Sequence, residues 1–251
     1  MATVAKGYDL DYAWRAVGEA YRGAGYYLAA VEAGEPPGTW WGPGAERLGF
    51  AEGQQVEREP YNLLFGERKG PDGRKLGRAP ANAGKAAEIY KSLLAAEPGA
   101  DDHRRAVLRI EAQRQARQSP LYFDLTMSWS KDISLLHASL GAAVQRARDE
   151  GDKRAEALAA RLLGEVDAIL RDANNAGLAY FQREAGYVRT GSHVARVDGR
   201  ESGQWHEADL IVASWYQHTS RDGDMQLHEH NQIAHVAITR DDGKGRALTA
   251  S

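Results

Sequence analysis

The chain has 251 residues, enough for one large domain with a proper hydrophobic core. Its apolar fraction of 43% and charged fraction of 27% are those of an ordinary water-soluble protein. The absence of cysteine excludes a disulfide framework and any thiolate zinc site, and suits a reducing compartment. With no apolar run of signal-peptide or membrane-spanning length, a cytoplasmic protein without membrane insertion is expected. The net charge of −3 means that any nucleic-acid contact must come from local basic patches rather than from the overall field.

In chain order, Leu10, Ala13, Trp14, Val17, Ala20, Tyr21, Ala24 and Leu28 recur near helical spacing and predict a helix over 9–33. Gly23 and Gly25 weaken it near Tyr26, and Glu35-Pro36-Pro37-Gly38 ends it. Trp40-Trp41-Gly42-Pro43-Gly44 reads as a loop before a short helix at Ala45–Leu48. Residues 66–84, dense in Gly, Pro, Lys and Arg, read as a mobile surface loop or a phosphate-contacting arm. Helices follow at 85–96 and 101–117, then a strand at 121–128. Two long helices at 130–148 and 153–184 and strands at 187–197, 209–218 and 226–239 complete the chain. Strands and helices do not alternate regularly, which predicts an α+β fold, a central antiparallel sheet flanked by helices.

Chemistry concentrates near the C-terminus. His218, His228 and His230 fall within thirteen positions, and neutral imidazole is a common ligand for divalent metals. His228 and His230 share a face because strand side chains alternate. Where His218 falls depends on the hairpin. A two-residue loop at Asp222-Gly223 pairs it with Leu227 and turns it to the wrong face, whereas an odd loop sets it opposite His228. The expectation is therefore an odd loop, with Gly223 left-handed, a bulge, and three imidazoles on one metal. Parity leaves His235 outside this group, and His137 on its apolar helix reads as a satisfied core residue.

The segment Leu210–Asn231, containing Gln217-His218-Thr219-Ser220-Arg221 and Gln226-Leu227-His228-Glu229-His230, resembles the metal-binding signature of conjugative relaxases of the TrwC/MobF type, members of the HUH endonucleases. Three more stretches agree in order: Tyr26-Tyr27 with Trp40-Trp41-Gly42-Pro43-Gly44, Asp124–Ser134, and Tyr180–Tyr187. The resemblance implies one relaxase-like domain over 1–251 that nicks one DNA strand at a transfer origin through a 5′-phosphotyrosyl link. It implies a divalent metal, magnesium or manganese, with zinc or nickel as substitutes, held by His218, His228 and His230. It also implies Asp124 orienting an imidazole or accepting the tyrosine proton. Tyr26 is the first choice of nucleophile, then Tyr27, then Tyr21, with Tyr12 on the same predicted helix. Arg74, Lys75, Arg78, Lys131 and Arg221 are the expected contacts to single-stranded DNA, and other conjugation proteins are expected partners. The chain departs from the pattern in three places: Glu229 stands where a hydrophobe is expected, Gly18 and Glu19 stand where an earlier tyrosine pair would fall, and the family's domain continues with more structure past the point where this chain ends. Two other functions fit the same residues, a relaxase-like module that binds single-stranded DNA without cutting it and an unrelated three-histidine metalloenzyme.

Overall fold

The computed structural model describes residues 1–16, 35–80, 85–116, 119–191, 196–197, 200–201, 203–220 and 224–248. Among them the strands are β1 (Ala2–Gly7), β2 (Thr39–Trp41), β3 (Tyr122–Ser128), β4 (Tyr187–Thr190), β5 (Arg196–Val197), β6 (Arg200–Glu201), β7 (Gln204–Asp209), β8 (Val212–Thr219), β9 (Met225–Ala234), β10 (Ala237–Thr239) and β11 (Gly245–Arg246). The helices are α1 (Tyr12–Ala16), α2 (Pro43–Arg47), α3 (Arg58–Tyr61, continued by a π-helical turn at Asn62–Gly66), α4 (Lys85–Ala96), α5 (Asp102–Ala116), α6 (Lys131–Asp149) and α7 (Lys153–Ala185). Five strands form an antiparallel sheet in the order β1-β3-β9-β8-β2, and a second sheet runs β11-β10-β7-β4. The α+β expectation is met.

Each face of the main sheet has its own apolar layer. On one face Trp40, Tyr122, Ala213 and Trp215 pack against Tyr61, Leu64 and Phe65 of the α3 region. On the other, Trp41, Leu125, Val212 and Ile233 pack against Leu178 of α7. A buried polar lock fixes α7 over that second face. Asn174 and Asn231 exchange side-chain amide hydrogen bonds of 3.1 and 2.8 Å, and Ser214 donates to Asn231 at 2.7 Å. Every group in the lock is paired, so burying it is affordable and its geometry is unique. Both long helices have side-chain N-caps, Ser130 for α6 and Asp152 for α7.

Several elements differ from the sequence expectation for identifiable reasons. Trp40-Trp41 is strand β2, not loop, because consecutive strand side chains point to opposite faces and each tryptophan finds a different core. Exposed β1 carries no apolar alternation; it exists because β3 offers it a full antiparallel ladder. The expected 209–218 strand is β8, which begins at Val212; β7, which ends at Asp209, was not expected, and at Leu210-Ile211 the chain passes from one sheet to the other. The basic segment after α3 folds as a tight turn: Gly70 donates to the Arg74 carbonyl at 2.8 Å, Leu76 donates to the Arg68 carbonyl at 2.8 Å, and the Leu76 side chain enters the core. Of the predicted helix over 9–33, α1 is described; Tyr21, Tyr26 and Tyr27 lie outside the described residues.

Candidate functional site

The centre of interest is the α1/α3 face of strands β3, β9 and β8. Antiparallel register aligns side chains there in rows. Ser128, His228 and Gln217 form one row; Thr126, His230 and Trp215 form the next; Asp124, Gln232 and Ala213 form a third. Asp124 Oδ2 accepts from His230 Nδ1 at 2.8 Å, and Thr126 Oγ1 lies 3.1 Å from the same nitrogen. His228 Nδ1 lies 2.9 Å from the Gln226 carbonyl oxygen, which can only accept. Both imidazoles therefore carry a proton on Nδ1, leaving Nε2 as the position for a ligand or proton when the rings are neutral. Burial holds His228 below its ordinary pKa; His230 adds to that, and the bond to Gln226 opposes it. The rings are 5.0 Å apart between centroids, and Tyr12 of α1 meets His230 edge-on at 5.5 Å.

Behind this row, Gln232 is fully buried, and its Oε1 accepts from Tyr61 Oη at 2.7 Å and Trp215 Nε1 at 2.9 Å. Tyr61 is thereby committed to structure. Burial, followed by the charges of Tyr122 and Asp124, raises its phenol well above the usual value, which makes it a poor nucleophile.

His218 does not join His228 and His230. The hairpin register sets Gln217 opposite His228 and Tyr216 opposite Glu229, and a bulge follows, with Thr219 opposite Met225. Five residues, an odd number, separate Thr219 from Met225 and the expected bulge is present, but the bulge returns the ladder to the register in which Gln217, not His218, faces His228. His218 consequently follows Tyr216 onto the α6/α7 face. There its ring packs against Tyr216 at 4.9 Å and against His137 of α6 at 5.3 Å. Glu35 holds it: Nδ1 lies 2.6 Å from Oε2, and the backbone N–H donates to Oε1 at 2.9 Å. His137 is paired with Asp167 of α7 at 2.9 Å, as a satisfied core histidine should be. Among the described residues, no cluster of three or more His, Asp or Glu is placed to hold a metal ion. The expected three-histidine convergence is thus replaced by a two-histidine site. Gly223 and Arg221 in the connecting loop lie outside the described residues.

A cavity of about 690 Å³ opens on the α7 side of the sheet. It is lined by Trp41, Asp167, Arg171, Tyr216, His218 and Glu229, among others. Burial pushes the Glu229 carboxyl up to about 7, and Arg171 pulls weakly the other way. Glu229 occupies a position where the family resemblance calls for a hydrophobe, and this cavity is where its side chain goes.

The expected DNA contacts are scattered. Arg74 and Lys75 are exposed at the tip of the tight turn, and exposed Arg78 follows it, its backbone carbonyl accepting from Arg68. Lys131 begins α6 and donates to the Met225 carbonyl at 2.6 Å. Glu35 and Gln217 carried no sequence signal of their own: the register sets Gln217 opposite His228, and Glu35 holds His218 on the far face. The one available hint was the alternative register that sets His218 against Leu227, which the ladder keeps beyond the bulge.

The family model for the TrwC relaxase matches residues 7–251. The chain belongs to the TrwC relaxase family. Solved structures with the same fold include the conjugative relaxase TrwC in complex with oriT DNA without metal, at 20% identity and a TM-score of 0.55, over 99% of this chain and 61% of that one. A TrwC complex with a 27-mer DNA comprising the recognition hairpin and the cleavage site matches at 21% identity and a TM-score of 0.54, over 99% of this chain and 60% of that one. A metal-bound TrwC complex with oriT DNA matches at 22% and 0.55, over 99% and 61%. The chain therefore spans about three fifths of the length of these relatives. No curated protein sequence matches it. No helix among the described residues is long and apolar enough to cross a membrane.

Proposed function

We propose that this relaxase-family chain nicks one strand of DNA at a transfer origin and holds the cut end covalently. A tyrosine hydroxyl attacks the scissile phosphorus. The Oη–P bond forms as the P–O3′ bond breaks, giving a 5′-phosphotyrosine and a free 3′-hydroxyl that takes up a proton. One observation carries this reading: the Asp124–His230 pair lies directly beside the amino-terminal helix, with Tyr12 of that helix in contact with His230. Asp124 is engaged with the His230 ring, which supports an orienting role over that of proton acceptor. The exposed Arg74, Lys75, Arg78 and Lys131 are the proposed phosphate contacts, and single-stranded DNA is the proposed partner. Cytoplasmic placement follows from this role.

A divalent metal belongs to the same proposal, since a metal-bound structure of TrwC is known. A dianionic transition state is stabilised by a cation. His228 and His230 fit such an ion; the full three-histidine set does not, because His218 lies on the opposite face.

Tyr26 leads the candidates for nucleophile, followed by Tyr27, Tyr21 and Tyr12. The test is a covalent-capture assay with single-stranded origin oligonucleotides in the presence of Mn²⁺. The expected result is a protein–DNA adduct that survives denaturant and disappears in Tyr26→Phe. Loss of the adduct in a different tyrosine variant would reassign the nucleophile. DNA binding without any adduct would favour a non-cutting module, in line with the missing tyrosines at Gly18 and Glu19. Metal binding without DNA affinity would sink both.

A further inference from the structure

We infer that the metal site of this chain is built from His228, His230 and the side-chain amide oxygen of Gln217, and that His218 is a structural residue of the opposite face. The inference rests on the relaxase reading of the site and deepens it. Three observations lead to it. Gln217 is directly opposite His228 on the neighbouring strand, so the two side chains share a face and stand close together. The Gln217 amide has no hydrogen-bond partner among the described residues and is only partly buried, so its oxygen is available. His218 is separated from His228 and His230 by the sheet itself and already bonds Glu35 twice, at 2.6 and 2.9 Å.

The arrangement is consistent with ligand chemistry. Nδ1 is spent on Gln226 in His228 and on Asp124 in His230, so each ring offers Nε2 on the face that Gln217 shares. A carboxamide oxygen is a hard, neutral donor suited to magnesium or manganese, whereas a third imidazole would favour nickel, copper or zinc. Two imidazoles and one amide leave coordination positions open for phosphate oxygens and water. Such a set should bind first-row transition metals more weakly than three imidazoles would.

Calorimetric titration of the full chain with Mn²⁺ and Zn²⁺ tests this without reference to activity. His228→Ala should abolish binding. Gln217→Ala should weaken Mn²⁺ binding about tenfold, and Gln217→His should tighten Zn²⁺ binding by roughly tenfold or more. His218→Ala should leave both affinities within about twofold. Because loss of the Glu35 pair could unfold that variant, a second measurement uses the wild-type chain. Addition of Zn²⁺ should shift the ring-nitrogen resonances of two histidines in long-range ¹H–¹⁵N spectra. Perturbation of three histidines, or loss of metal in His218→Ala with no gain in Gln217→His, would overturn the inference. Failure of the wild-type chain to bind either ion would overturn it as well. The two proposals fail distinguishably: metal held by three histidines would overturn this inference and leave the tyrosine adduct untouched, whereas metal bound as inferred with no adduct formed would overturn the nicking proposal alone.

Discussion

At the scale of single residues, hydrogen-bond partners decide what each histidine can do. His228 and His230 are locked through Nδ1 to a carbonyl and a carboxylate, a pairing that prepares Nε2 for a ligand. His235 is the contrasting case. It lies against Phe123, and Arg68 Nη2 donates to its Nδ1 at 2.7 Å. Burial first, then the Arg68 charge, lower its pKa to about 4, against a bond to the Leu248 backbone that works the other way. The folded value lies below the ordinary 6.5, so the stabilisation is complete above about pH 6.5 and is lost as pH falls toward 4. His235→Gln keeps an acceptor for Arg68 and cannot titrate. Urea unfolding at pH 8 and pH 5 should show a smaller loss of stability on acidification in this variant than in wild type; an equal loss would show that His235 titrates normally. Nothing in the sequence around His235 announces this, because Arg68 reaches it from 167 positions away.

At the scale of elements, close approach is what fixes the strand junction behind the site. Gly44, in the first turn of α2, packs on the link between β7 and β8: a Cβ there would stand 2.7 Å from the Leu210 carbonyl oxygen, which belongs to the backbone and cannot move aside. Gly44→Ala should therefore destabilise the fold by about 2 kcal/mol or more in denaturant unfolding. Gly164, on the exposed side of α7, has open space around it, and Gly164→Ala should stabilise by roughly 0.5–1 kcal/mol through helix propensity alone. If the two substitutions had the same sign, packing at Gly44 would not be what constrains it. The long helices were legible from periodicity because α6 and α7 each bury one continuous stripe. The β8–β9 strands were equally legible, but their register was not, since two loop lengths fit the same Asp222-Gly223-Asp224 turn.

At the scale of the whole molecule, a net charge of −3 leaves no global attraction for DNA, so the proposed DNA contact rests on a few local cations. Neutralising Arg74, Lys75, Arg78 and Lys131 one at a time should each weaken binding to single-stranded DNA. Each should also reduce the slope of log K against log salt by about 0.7. A slope unchanged by all four substitutions would place the phosphate path elsewhere. The two sheets and their two cores explain why the site is rigid: β9 lies at the centre of the main sheet, paired on both edges, so its histidines are held by ladders from β3 and β8.

By itself the sequence determined the fold class, the helices that flank the sheet, the shared face of His228 and His230, and the place of Asp124 in the same constellation. Periodicity and motif order carry that information locally, within a strand or a helix. Only the tertiary structure decided that Asp124 reaches His230, that Glu35 holds His218 on the far face, and that Gln217 takes the position beside His228. Those outcomes depend on strand register and on pairings across 106 and 183 positions, and a one-residue slip in register reverses every side chain of a strand while leaving its pattern unchanged.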